Sequence, residues 1–135
     1  MNAFIVELRN KPGELARLAE TIAQKGINIE GFTGATCGGS GTVVVLTNDE
    51  ARTRKALGEA GITARETELV TTSIEHKPGT LAATARKLAD AGINIDAALP
   101  VGMAEGKVSL AFATDQPERA RSILGVSEPA GMGMR

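Results

Sequence analysis

The sequence predicts an α+β protein made of two tandem β-α-β-β-α-β modules, 1–67 and 68–135, and three observations carry that prediction. First, Asn10-Lys11-Pro12-Gly13-Glu14-Leu15-Ala16 returns 66 positions on as His76-Lys77-Pro78-Gly79-Thr80-Leu81-Ala82, and Gly26-Ile27-Asn28-Ile29-Glu30 returns at the same offset as Gly92-Ile93-Asn94-Ile95-Asp96. A period this long exceeds that of solenoid repeats, and a unit of that size can close its own core. Second, the apolar residues alternate between strand-like runs and helical spacing in a fixed order. Third, Gly and Pro clusters punctuate the chain where that order changes.

Each element follows from local pattern. Ala3-Phe4-Ile5-Val6-Glu7-Leu8 is a short apolar run stopped by Asn-Lys-Pro-Gly, a strand by composition. From Leu15 the apolar positions Leu15, Leu18, Ala19, Ile22 and Ala23 recur at helical spacing, with Pro12 suited to the first turn and Gly26 to the C-terminal cap. Ile27-Asn28-Ile29-Glu30 opens a second strand in which Gly31 and Gly34 mark a bulge or a close backbone approach. Gly38-Gly39-Ser40-Gly41 then turns the chain into Thr42-Val43-Val44-Val45-Leu46, a buried strand. Asn48 or Asp49 caps a helix over 49–60, Gly61 ends it, and 62–67 completes the module.

The second copy follows suit: strand 68–75, helix 79–91 with Leu81, Ala85 and Leu88 inward, strand 93–101, strand 107–113, and helix 116–124 capped by Asp115. Its fourth strand is short or missing, because the Gly- and Pro-containing tail from Val126 opposes a regular ladder. The order is ferredoxin-like: antiparallel sheets with two helices on one face of each. No turn residue separates 62–67 from 68–75, so that stretch is expected to couple the two sheets rigidly.

Composition narrows the function. Apolar residues make up 42% and charged residues 23% of the 135, which fits a globular chain and contains no run long enough to span a bilayer. The net charge of −1 and an aromatic inventory of Phe4, Phe32 and Phe112 supply neither a basic footprint nor a stacking surface for nucleic acid. The single Cys37 forms no internal disulfide and lacks metal-ligand spacing, so the expectation is a cytoplasmic protein with no metal and no cofactor. His76 and Cys37, the only residues of their types, fall in different modules without an orienting carboxylate, so no catalytic residue and no enzyme are expected.

What the repeat duplicates besides apolar residues is polar. In each copy the strand-to-helix junction brings Asn10 or His76 to a helix start that contains Gly13 or Gly79. Unpaired N–H groups and the helix dipole favour a carboxylate there, and a residue without Cβ admits it to the backbone; Gly13→Val is accordingly expected to damage binding more than folding. Asn28 and Asn94, each between two Ile residues, place an amide in an apolar strand start, where it needs a hydrogen-bonding partner.

These residues resemble the ACT domain, a small-molecule-binding regulatory module of amino-acid metabolism. The matching marks are Asn10-Lys11-Pro12-Gly13-Glu14-Leu15-Ala16-Arg17 with Gly26-Ile27-Asn28-Ile29, and His76-Lys77-Pro78-Gly79-Thr80-Leu81-Ala82 with Gly92-Ile93-Asn94-Ile95. The resemblance implies amino-acid ligands at an interface between paired modules. The candidate contacts are Asn10, Lys11, Pro12, Gly13, Leu15, Asn28 and Ile29 in the first copy, and His76, Pro78, Gly79, Leu81, Asn94 and Ile95 in the second. The first copy is also similar to the small regulatory subunit of acetohydroxyacid synthase, a similarity that stops at the midpoint. The expected function is a stand-alone sensor that binds a free amino acid, assembles as a homodimer and modulates its own assembly or a metabolic enzyme. The alternative is a structural protein–protein interaction module without a small-molecule ligand. Whether both copies bind, and whether they bind the same ligand, stays open.

Overall fold

The computed structural model describes residues 1–126, and its elements run β1 (Asn2–Arg9), α1 (Glu14–Ala23), β2 (Ile29–Cys37), β3 (Ser40–Thr47), α2 (Glu50–Glu59), β4 (Ala64–Glu75), α3 (Thr80–Asp90), β5 (Ile95–Ala104), β6 (Lys107–Thr114) and α4 (Pro117–Leu124). The β-α-β-β-α-β order thus occurs in the first copy and begins again in the second. The expected weakness of the last strand of the second copy concerns residues outside those described. The chain divides into two compact units, Asn2–Thr67 and the residues from Glu68 on together with Met1. No helix among the described residues is long and apolar enough to cross a membrane.

In the first unit the strand order is β2-β3-β1-β4. β1 and β3 run antiparallel with Phe4 opposite Val45 and Val6 opposite Val43, so alternate residues of both strands share one face. That face receives Leu18 and Ile22 of α1 and Leu57 of α2, and together with Ile27 and Ile62 they form one buried cluster. Hydrophobic burial of this set holds the helices to the sheet. β2 is continuous through Gly31 and Gly34, with its register shift between Ile29 and Gly31. The hairpin turn is only Gly38-Gly39, tighter than the sequence pattern implied.

α2 begins at Asp49, whose carboxylate accepts the Arg52 N–H at 3.0 Å. Asp49→Ala is therefore expected to cost about 1 kcal/mol, measurable by urea unfolding. On the same unit, Glu66 accepts from Arg54 Nε at 2.7 Å, from Arg54 Nη2 at 2.8 Å and from Asn2 Nδ2 at 2.8 Å. These bonds, the Arg54 bond first, hold its carboxyl well below the ordinary 4.5, at about 2. Because the folded value is depressed, the stabilisation is complete above the unfolded value and disappears as pH falls towards 2. Glu66→Gln should cost about 1 kcal/mol at neutral pH and progressively less as pH falls through 2, a difference read from paired thermal melts.

The second unit has the strand order β4-β6-β5, with Leu69 opposite Ala113 and Val70 opposite Phe112. Val70, Leu88, Ile93 and Ala120 form a buried cluster, with Ile95 and Leu124 packed against it. Residues 64–75 form a single twelve-residue strand, in line with the lack of a turn residue between 62–67 and 68–75. The inward stripes of α1 and α3 are narrower than the spacing implied. Leu18 and Ile22 are buried in α1, and Thr84 and Leu88 in α3, but Leu15 and Leu81 remain 51% and 55% exposed. Both lie in the first helical turn, beyond the edge of the apolar cluster.

Candidate functional site

The junction between β1 and α1 is built by a glycine. Gly13 takes φ 92° and ψ −12° at the N-cap position, a left-handed conformation available to Gly at little cost, and Gly79 repeats it at φ 89°. The helices therefore start at Glu14 and Thr80, after the glycines instead of including them, and Pro12 and Pro78 precede the cap instead of occupying the first turn. Nothing stands within 4 Å of where a Cβ on Gly13 would lie. Replacement by Val is thus resisted by backbone strain and not by crowding, which reverses the expectation that folding would be spared.

Neither α1 nor α3 has a side-chain cap, whereas α2 does. The first N–H groups of an uncapped helix attract an anion. Asn10 is fastened beside this terminus: its backbone N–H donates to Gly39 O at 3.0 Å and its Nδ2 to Gly38 O at 2.9 Å. The side-chain oxygen Oδ1 is thereby left as an acceptor. His76 keeps the backbone bond, to Gly106 O at 2.8 Å, while its exposed imidazole makes no hydrogen bond among the described residues.

In the first unit these residues border a cleft of about 410 Å³. Asn10, Lys11 and Leu15 line it, joined by Leu8, Arg9, Glu14, Phe32, Gly34, Ala35, Thr36, Gly41, Thr42 and Val43. Leu15 and Phe32, 51% and 61% exposed, form its apolar lips. Two glycines of the β2–β3 ladder line it, and each is closely approached by its neighbours. A Cβ on Gly41 would come within 2.8 Å of Thr36 Cγ2, and one on Gly34 within 3.3 Å of Thr42 O and of Val43 Cγ2. Pattern reasoning marked Gly34 as a place of close approach but missed Phe32 and Val43. Only the pairing of Phe32 with Val45 and of Gly34 with Val43 assigns these positions to one face, and that register is not written in the sequence.

The other candidates stand elsewhere. Pro12 and Gly13 form the loop and cap without lining the cleft, and Pro78 and Gly79 do the same in the second unit. Asn28 and Asn94 are exposed, just ahead of β2 and β5, so the buried amide inferred from their Ile neighbours does not exist. Chain alternation turns Ile27 and Ile93 into the cores and the Asn side chains out. The Asn94 side chain donates from Nδ2 to Asp96 Oδ1 at 2.8 Å, and in both units the main chain at this position forms a clip. Asn28 N–H donates to Asn48 Oδ1 at 3.0 Å and Asn48 N–H to Asn28 O at 3.1 Å. In the second unit Asn94 N–H donates to Asp115 Oδ1 at 3.0 Å and Asp115 N–H to Asn94 O at 3.3 Å. Asp115 is therefore engaged with the strand start, and Gln116 occupies the N-cap position of α4. Half-buried Ile29 and Ile95 pack against their respective cores. Leu81 is the exposed counterpart of Leu15.

A glycine-started first helix without a side-chain cap thus recurs in both copies of the fold. A family profile described as the ACT domain pair matches residues 1–128, and the chain belongs to that family. Its coarse role is accordingly regulatory. No curated protein matches the sequence. Among solved structures, a protein from Bacteroides thetaiotaomicron is similar with a TM-score of 0.77 and 21% identity, over 92% of this chain and 85% of that one. The ligand-free regulatory subunit of aspartate kinase from Thermus thermophilus is similar with a TM-score of 0.64 and 20% identity, over 94% and 93%. The corresponding subunit from Thermus flavus gives 0.64 and 20%, over 92% and 90%. At these identities the likeness is one of fold.

Proposed function

We propose that this chain is a cytoplasmic regulatory protein that binds a free amino acid and passes occupancy to its own assembly, as a homodimer, or to a metabolic enzyme. The modules are taken as 1–67 and 68–135. The single observation that carries the reading is the cleft of the first unit, which sets an uncapped helix start and Asn10 beside an apolar hollow. A zwitterion has both needs: its carboxylate suits the helix N-terminus, its ammonium suits an oxygen acceptor such as Asn10 Oδ1, and its side chain needs a hollow. Asn10, Lys11 and Leu15 are the proposed contacts, with Gly13 shaping the loop. Likeness to aspartate kinase regulatory subunits supports an enzyme of amino-acid metabolism as the kind of partner.

Regulation requires that the ligand favour one state over another, and a ligand shared at a module interface would do so by completing its site only in the paired state. The test is a thermal-shift series over the common L-amino acids. A ligand at about 100 times its dissociation constant should stabilise the protein by about 2.7 kcal/mol, a rise of several degrees. If every amino acid leaves the melting temperature unmoved, the sensing role is wrong and a purely structural interaction module takes its place.

A further inference from the structure

We infer that the chain holds its ligand in the first repeat only, and that this ligand is an amino acid with an uncharged apolar side chain. The inference rests on the amino-acid reading above and adds to it the site's location and selectivity. The two strand ladders can be aligned residue by residue. Leu8 faces Gly41 in the first unit and Ile74 faces Val108 in the second; Gly34 faces Val43 and Pro100 faces Leu110; Phe32 faces Val45 and Ala98 faces Phe112. At the two floor positions where the first unit has hydrogen atoms, the second therefore carries the side chains of Val108 and Pro100.

Val108 is only 8% exposed and stands at the register position of Gly41, so a buried side chain is present there where the first unit has none. The second ladder also shifts register between Pro100 and Gly102, which places Met103 opposite Val108 where Thr36 stands opposite Gly41. Meanwhile the apolar lip provided by Phe32 shrinks to Ala98. The same glycine-started helix is thus retained over a hollow that its own sheet has filled. In the first unit Leu8, Leu15, Phe32 and Val43 give the cleft apolar surface that favours burial of a hydrocarbon side chain, while its charged lining residues are Arg9 and Lys11, both exposed to solvent, and Glu14, which is paired with Arg17.

The test is amide NMR on the full-length 15N-labelled protein, titrated separately with leucine, isoleucine, valine, methionine, phenylalanine, lysine and aspartate. Expected are shifts at Asn10, Gly34 and Thr42 with an apolar amino acid and none at His76, Gly79 or Leu110. Phe32→Ala, at an exposed position, should keep the native spectrum and weaken that ligand roughly tenfold, the loss of part of an aromatic contact, while Met103→Ala leaves affinity unchanged. Equal or preferential shifts in the second repeat, or selection of lysine or aspartate, would overturn the inference while sparing the amino-acid reading. Absence of any response to the apolar and charged amino acids alike, repeated in the thermal series, would overturn both.

Discussion

Leu18→Ala is expected to destabilise the first repeat by about 3 kcal/mol, while Leu15→Ala, one turn earlier on the same helix, shifts stability by less than about 0.5 kcal/mol. Leu18 is 1% exposed within a cluster that includes Phe4, Val6, Ile22 and Leu57, so truncation removes transfer free energy and leaves a cavity between α1 and the sheet. A unit this small has a net stability of only several kcal/mol, and such a loss is a large share of it. Leu15 is half exposed and borders the cleft, so its truncation costs little folding energy and removes ligand contact area. Urea unfolding followed by circular dichroism separates the two variants. Similar losses for both would mean that Leu15 belongs to the core after all, as its helical spacing suggested.

That pair marks where sequence legibility ends. Periodicity gives the direction of a helix face but not how far along the helix the opposing sheet reaches, and so it counts Leu15 and Leu81 with Leu18 and Leu88. The element order was legible because strand and helix periods are local properties, punctuated by Gly26, Gly38-Gly39 and Gly61. The glycine-started helix junctions were legible as motifs, though the left-handed φ of Gly13 and Gly79 was not, since a Pro-Gly pair fits either side of a helix start. Asn28 and Asn94 show the converse. Their recurrence is real, but their side chains are exposed, and what both positions share is a backbone bond to a side chain about twenty residues away, Asn48 or Asp115, which no local pattern associates with them. Half of the cleft, contributed by Phe32, Gly34, Gly41 and Val43, depends on strand register and was beyond pattern alone.

Glu68→Ala is expected to cost the second repeat about 2–3 kcal/mol, more than Arg121→Met at the other end of the same ion pair. Arg121 Nη1 lies 2.5 Å from Glu68 Oε2, and the two ends differ in surroundings: the Arg121 side chain is 8% exposed, the Glu68 side chain 38%. Removing Arg121 lets Glu68 turn to water, and Met fills most of the vacated volume with atoms suited to an apolar site. Removing Glu68 instead takes a carboxylate away from a guanidinium that water cannot readily reach, so the desolvation of the cation is less well offset. The double variant Glu68→Ala/Arg121→Met should therefore recover most of the loss caused by Glu68→Ala alone, a coupling measured by a double-mutant cycle in urea. Strict additivity would show that the pair contributes nothing beyond its separate side chains. Recovery would make it a device that fixes where α4 sits against the start of the second repeat while adding little net stability.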